Sequence, residues 1–272
     1  MRKLTSILKY LFLTIISLVS IFPFLWMIIS MTNKSVDVTR GSLIPGSHMV
    51  ENIKNLFKSD LHFSKSLVNS AEIAIITTIL ALIICSLAGY GFEVYKNKVR
   101  DRIFGVLLLS MMVPFAALMI PLFKMFSSFK VAGLNTTGSV IIPSLSTAFL
   151  VFFFRQNTKS FAKELLEAGR IDGLDELRVF TRIYFPTMKS SYAAAAIITF
   201  MGSWNNYMWP LIALQSPQKR TVPLIISTMS SSYTPDYGMI MAGVVIATIP
   251  TALVFFLMQK HFVAGMLGSV KG

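Results

Sequence analysis

Six long apolar stretches most limit how this 272-residue chain can fold. A helix needs about 20 mostly apolar residues to cross a hydrocarbon core about 30 Å thick. The stretches cover residues 11–31, 67–92, 103–126, 137–154, 190–214 and 239–258. We therefore predict an all-α polytopic membrane protein with six transmembrane helices. It would form a single domain over residues 1–272, with the first span peripheral to five core spans.

The charged residues indicate an orientation in the membrane. Only 14% of the residues are charged, against roughly 25% in an average soluble domain, which argues against a soluble enzyme. The formal net charge is nevertheless +13, and 16 of the 25 Lys and Arg residues fall in segments on one predicted side: 1–10, 93–102, 155–189 and 259–272. The positive-inside rule places those segments, and both termini, in the cytoplasm. These basic residues flank apolar spans and form no nucleic-acid-reading cluster, so the predicted partner is the lipid bilayer.

The sequence offers little for covalent chemistry. Cys85 is the single cysteine, and three scattered histidines have no zinc-ligand spacing. The nearest match to a phosphate-binding loop, residues 133–139, lacks the lysine that contacts the phosphates. We therefore predict no catalytic residue, metal or cofactor in this chain.

One predicted cytoplasmic loop, residues 155–189, has helical order. Residues 164–171 read as a short helix that Gly173 would end. Asp175 would cap a second helix, which Pro186 follows closely. Three apolar side chains are predicted to share one face of that second helix: Leu177, Phe180 and Tyr184. Periodicity alone leaves two interpretations open, docking of a soluble partner against the loop and packing of the loop on its own bundle.

The same loop resembles the EAA loop of binding-protein-dependent ABC importer permeases. The family pattern is E-A-A, three residues, G, nine residues, then I-x-L-P, and the spacing matches throughout. Two residues depart from it, Gly169 in place of Ala and Phe185 in place of Leu. The resemblance implies that residues 161–186 form a coupling loop seated in a cleft of a cytoplasmic ATPase. The residues implied in that coupling are Glu167, Ala168, Gly169, Asp172, Gly173, Ile183 and Pro186.

Two further segments, Trp204–Leu211 and Val270–Gly272, resemble maltose-type sugar permeases, specifically the smaller six-span subunit. The resemblance implies a carbohydrate importer in the bacterial cell membrane. Its implied partners are a homologous second permease, two ATPase subunits that bind ATP and Mg²⁺, and an extracytoplasmic solute-binding protein. This chain would form half of the pathway and convert ATPase closure into alternating access.

The fifth predicted span holds the candidate pathway residues. Amide groups suit sugar hydroxyls, and aromatic rings suit the apolar faces of a sugar. The candidates are Trp204, Asn205, Asn206, Tyr207 and Trp209. The competing interpretation places these aromatic residues in a belt at the membrane interface.

Other functions remain as alternatives. An ion-coupled secondary transporter or channel subunit would usually carry ionisable residues inside the bilayer, and the predicted span interiors are almost free of them. A membrane enzyme would need catalytic groups clustered at one depth. An importer of another solute, such as glycerol phosphate, would share the scaffold that the resemblance implies.

Overall fold

A computed structural model describes the backbone of residues 2–268 and the side chains of residues 6–260. All regular secondary structure in this part of the chain is helical, in agreement with the predicted class. The predicted Val270–Gly272 similarity lies outside the described residues.

The helices alternate between long and very short elements. In chain order, the α-helices are α1 Arg2–Ser30, α2 Ser35–Thr39, α3 Met49–Lys58, α4 Phe63–Val94, α5 Lys98–Ser110, α6 Phe115–Ser127, α7 Thr137–Ile141, α8 Ala148–Lys159, α9 Lys163–Ile171, α10 Glu176–Val179, α11 Phe185–Thr187, α12 Lys189–Trp204, α13 Met208–Ala213, α14 Val222–Ser230 and α15 Tyr237–Gly268. A π-helical turn, Phe180–Tyr184, connects α10 to α11. Short 3₁₀ turns lie at Ile142–Ser144 and Pro217–Lys219.

Three described helices are long and apolar enough to cross a membrane: Ser6–Ser30, Phe63–Val94 and Tyr237–Lys260. Two bent pairs also qualify, α5 with α6 and the segment 137–144 with α8, which gives up to five candidate spans among the described residues. The predicted fifth span, 190–214, is divided between α12 and α13. At 16 residues, α12 rises only about 24 Å at 1.5 Å per residue, so it does not span a 30 Å core alone.

The predicted third span, 103–126, differs most from a continuous helix. The chain bends by 100° between α5 and α6. Pro114 is the N-cap of α6, and a proline disfavours helical backbone at the residue before it, here Val113. The proline therefore starts a new helix instead of kinking one.

By its contacts the chain forms two compact units. The first consists of residues up to Ser66 together with Val222–Pro250. Within it, the buried Asn52 amide donates hydrogen bonds to the carbonyls of Met31 and Asn33, both at 2.9 Å. A Cβ on Gly238 would lie 2.6 Å from the Asn33 carbonyl oxygen, so this glycine allows α15 to approach closely.

The second unit consists of Leu67–Thr221 together with the residues from Thr251 onward. Its core includes Cys85, Leu150 and Phe154, all buried. A Cβ on Gly89 would lie 2.6 Å from the Phe154 Cβ, so α4 and α8 pack in near-backbone contact. This close packing fixes the ends of both helices, on which the candidate site is built.

Candidate functional site

The first candidate site is a helical block that we define as residues 163–187, from α9 to α11. Gly173 ends α9 in the left-handed region with φ +80°. The Gly173 N–H donates to the Arg170 carbonyl at 3.1 Å, and the Leu174 N–H donates to the Gly169 carbonyl at 3.0 Å. This pair of bonds is the Schellman motif, which satisfies the last carbonyls of a helix. The prediction that Gly173 ends this helix is confirmed.

The second half of the block begins where the sequence predicts it. The Asp175 carboxylate accepts a 2.8 Å hydrogen bond from the Arg178 N–H, which confirms the predicted N-cap. The predicted apolar face is wrong in one member, because Leu177 is exposed while Phe180 and Tyr184 are buried. The cause is the π-helical turn, which widens the helix after Val179 and shifts the following residues round its axis.

The buried face of the block, which we call its underside, packs against α4 and α8 of the same chain. Its core comprises Leu166, Val179, Phe180, Tyr184 and Met188, together with Tyr90 and Phe161. The hydroxyls of Tyr184 and Thr158 lie 2.6 Å apart, and the Tyr90 and Tyr184 rings meet edge-on at 4.9 Å. Burial raises the pKa of Tyr184 above its ordinary value. These contacts attach the block to the ends of α4 and α8.

The opposite surface of the block is exposed and partly apolar. Ile171 is 86% exposed and Leu177 is 68% exposed. We call these two residues the apolar tip. The Glu167 and Ala168 side chains are also exposed. One face of the block therefore packs on the bundle, while the other is free to receive a second protein.

Gly169, one of the two departures from the family pattern, has a packing explanation. A Cβ on this residue would lie 2.4 Å from the Ile183 Cδ1 and 3.5 Å from the Leu174 Cδ1. Ile183 thus occupies the space that an alanine would need. Of the remaining implied residues, Asp172 is the C-cap of α9 and Pro186 is exposed within α11.

A polar joint connects the two halves of the block to the end of α4. The Arg170 guanidinium donates to both carboxylate oxygens of Glu176, at 2.7 and 3.3 Å. The hydroxyl of Tyr95 also donates to Glu176, and the Tyr90 hydroxyl lies 3.5 Å from the same carboxylate. The hydrogen bond from Arg170 holds the pKa of Glu176 below its usual range. Burial and the bond to the carboxylate raise the pKa of Tyr95.

Sequence reasoning missed a second charged cluster beside the block. Arg155 and Glu93, both buried, form an ion pair with 3.3 Å between Nε and Oε2. Arg155 also pairs with Asp101 at 2.5 Å, and its guanidinium lies 4.1 Å from the Phe104 ring centroid. Lys163, the first residue of α9, lies 3.9 Å from Glu93. The cluster therefore joins α4, α5, α8 and the block.

The residues predicted to line a pathway divide into two groups. Trp204 and Trp209 are buried, and the Trp209 indole N–H donates to the Ser139 carbonyl at 2.7 Å. These two rings therefore do not form a lipid-facing belt. Asn205 is exposed, and its amide donates to the Met201 carbonyl at 2.9 Å, which caps α12. Tyr207 is half-buried just before α13.

Asn206, the fifth of those residues, lines two neighbouring cavities. The larger measures about 290 Å³ and the smaller about 270 Å³. The cavities share Asn206, Ser144 and Thr147. Both lie where helices are interrupted, between α7 and α8 and between α12 and α13. Among the described residues, no group of three or more His, Cys, Asp or Glu side chains is placed to hold a metal ion.

Residues 78–268 match the family described as "Binding-protein-dependent transport system inner membrane component". The chain is 47% identical to the lactose transport system permease protein LacG of Rhizobium radiobacter, over 99% of this chain and 98% of that protein. It is 36% identical to the arabinooligosaccharides transport system permease protein AraQ of Bacillus subtilis, over 96% and 94%.

A solved structure has the same fold. It is a chain of a bacterial ABC transporter involved in the import of the acidic polysaccharide alginate, with a TM-score of 0.84 and 20% sequence identity. The similarity covers 96% of this chain and 97% of that one. The family match covers well over half of the sequence, and the relatives extend over nearly all of it. The chain therefore belongs to the family of inner membrane components of binding-protein-dependent transport systems.

Proposed function

We propose that this chain is the permease subunit of an ATP-driven oligosaccharide importer. The names of its relatives, which carry lactose and arabinooligosaccharides, support a sugar as the solute. The chain would form half of the translocation pathway beside a homologous second permease, and it would catalyse no covalent reaction. An extracytoplasmic binding protein would deliver the sugar, and two partner ATPases would bind ATP and Mg²⁺.

The proposed membrane arrangement keeps six spans with both termini in the cytoplasm. It treats α5 with α6, the segment 137–159 and α12 with α13 as three interrupted spans. Interrupted helices are tolerated inside a membrane where they are buried in protein or line a cavity. The cavities beside the last two interruptions support that arrangement.

The observation that carries the proposal is the two-sided 163–187 block. Its underside is anchored on α4 and α8 through Tyr184 and Tyr90, while the apolar tip is exposed. Exposed apolar residues on the two helices that flank a tight turn are suited to a groove in a partner protein. We propose that this partner is the ATPase and that closure of the ATPase dimer pushes the block. Glu167, Ala168, Asp172 and Pro186 would border that contact, whereas Gly169, Gly173 and Ile183 would maintain the shape of the block.

The test replaces the apolar tip by carboxylates. Ile171→Asp with Leu177→Asp should release the ATPase subunits, because a desolvated charge in an apolar groove is costly. Val131→Asp is the matched control, since Val131 is also 86% exposed and lies in a segment predicted on the opposite side. The measurement is the amount of ATPase that copurifies with the permease from solubilised membranes. Full retention of ATPase by the tip variant would contradict the proposed docking.

A pathway role is proposed for the segment after α12. Asn206 would face the solute, because it lines both cavities. Trp204, Asn205, Tyr207 and Trp209 would hold the interrupted helices in place, as the hydrogen bonds of Asn205 and Trp209 support.

A further inference from the structure

The larger cavity has a lining that combines hydroxyl and amide groups with apolar surface. The polar residues are Thr77, Ser144, Thr147, Thr199, Ser203 and Asn206. Phe149, Leu150 and Ile198 supply apolar surface. At about 290 Å³, the cavity is close to the lower end of the range of about 300–1,000 Å³ for small-molecule sites.

Thr77, a polar residue of α4, borders the cavity. Its side chain is 1% exposed, and its Oγ1 has no hydrogen-bond partner in the described part of the chain. An unpaired buried hydroxyl is costly, so most such groups have a partner. In this conformation the Oγ1 atom is not accessible from the cavity, so a ligand with hydroxyl groups would pair with it after the Thr77 side chain turned toward the cavity.

The charge of the lining restricts the ligand further. No Asp, Glu, Lys or Arg is among the described residues that line either cavity. A carboxylate or phosphate placed here would lose its hydration without gaining a cation. Sugar hydroxyls can pair with Thr, Ser and Asn side chains, and the apolar face of a sugar ring can pack on Phe149.

We propose that this cavity binds one uncharged sugar unit of the transported oligosaccharide, so that this permease contacts the cargo directly. The inference rests on the proposed function, because it assumes that the cargo is a sugar. The interrupted helices beside the cavity contribute Ser144, Thr147 and Asn206, so the sugar would bind at the breaks in two spans.

The test compares variants of two cavity residues with matched controls in the complete transporter, reconstituted in proteoliposomes with its binding protein. Thr77→Val is isosteric and removes no hydrogen bond, so the fold should be unaffected. Its control is Thr78→Val, which removes the 2.6 Å bond from Thr78 Oγ1 to the Ala74 carbonyl. Asn206→Leu is compared with Asn55→Leu, because Asn55 is an exposed residue of α3 that lines neither cavity. Thr77→Ser and Asn206→Gln retain hydrogen-bonding groups and should restore activity.

The readouts are ATP-dependent uptake of radiolabelled lactose and binding-protein-stimulated ATP hydrolysis. Thr77→Val and Asn206→Leu should each lower uptake by about tenfold, as expected when a hydrogen bond to the sugar is lost. Hydrolysis should remain, because the 163–187 block is unchanged. If both variants import lactose as fast as their controls, the inferred site is wrong although the proposed function stands. If the unmodified transporter imports no sugar, the proposed function itself fails.

A second comparison tests whether the cavity discriminates against a sugar that carries a charge. Lactobionate carries a carboxylate on a disaccharide of similar size. With the binding protein loaded equally by either compound, the unmodified transporter should take up lactose about tenfold faster or more, since an unpaired charge is costly to desolvate. Equal rates would show that the cavity does not discriminate against charge.

Discussion

Gly173→Ala should loosen the 163–187 block without removing any side-chain contact. The Gly173 φ is +80°, and a Cβ added there would meet no atom within 4 Å. The cost is therefore backbone strain alone, about 1–2 kcal/mol for a residue with a Cβ in the left-handed region. A penalty of that size raises the population of the opened block by a factor of about 5–30.

Hydrogen–deuterium exchange of peptides from the block is the assay. Two amides report on the turn directly, because the N–H groups of Gly173 and Leu174 close the Schellman motif. Exchange through local opening should accelerate in Gly173→Ala by that factor of about 5–30. Gly173→Asn should fall between glycine and alanine, since asparagine enters the left-handed region more readily than most residues.

Gly105→Ala is the matched control for this series. Gly105 lies within α5, and a Cβ there would also meet no atom within 4 Å. Alanine is preferred to glycine inside a helix by about 0.5–1 kcal/mol, so exchange in the block should not accelerate. Equal exchange in Gly173→Ala and the unmodified protein would refute the strain argument, as would faster exchange in the asparagine variant than in the alanine variant.

Three further changes test the packing and the charges around the block. Gly169→Ala should change the free energy of unfolding by less than about 1 kcal/mol in thermal unfolding, because the atom nearest the added Cβ is the terminal Ile183 Cδ1, which can move away, and alanine is preferred to glycine inside a helix by about 0.5–1 kcal/mol. Arg155→Met should cost up to about 3–5 kcal/mol, because it leaves the buried Glu93 with only the exposed Lys163, 3.9 Å away, as an ionic partner, whereas the double variant Arg155→Met with Glu93→Leu should recover much of that loss. The pKa of Glu176 is lowered in the folded protein. The stabilisation that its ionised carboxylate gives to the block is therefore complete above the ordinary glutamate pKa of about 4.3, and it is lost as pH falls through the pKa of Glu176 in the folded protein. Exchange protection of the block should therefore show no Glu176-dependent change between about pH 6 and 8 and should fall on acidification below about pH 4, and Glu176→Gln should remove that acid-dependent loss.

The turn inside the block could be predicted from residues that are close together in the sequence. Gly173 acts through its own backbone conformation, and the Asp175 side chain, two residues later, accepts from the backbone N–H of Arg178, three residues further on. The face of the second helix could not be predicted in the same way. The π-helical turn at Phe180–Tyr184 changes the register, and it accompanies the packing of Tyr184 against Tyr90, a residue from a distant part of the sequence.

The long apolar helices could also be predicted, because α4 and α15 contain the stretches 67–92 and 239–258. The break at Pro114 could not, since a proline inside an apolar stretch is compatible with a kinked helix and with two helices. The neighbouring elements decide between these outcomes, and they are distant in the sequence.

The remaining site features depend on contacts between distant segments. Arg155 and Glu93 are 62 residues apart, and the sequence presents both only as charges at the ends of predicted spans. Thr77 lies inside an apolar stretch without any motif, and its position becomes informative only when α4, α8 and α12 enclose the cavity. Asn206, in contrast, could be selected from the sequence because adjacent amides are unusual beside a membrane span.

The most direct test of the account measures accumulation of a radiolabelled oligosaccharide in proteoliposomes that contain the complete transporter. With binding protein outside and ATP supplied to the ATPase side, the internal sugar concentration should rise above the external one. Replacing Ile171 and Leu177 by aspartate should abolish this accumulation, while Val131→Asp should not. Accumulation driven by an ion gradient without ATP, or unchanged accumulation in the tip variant, would contradict the claim that the 163–187 block couples an ATPase to transport.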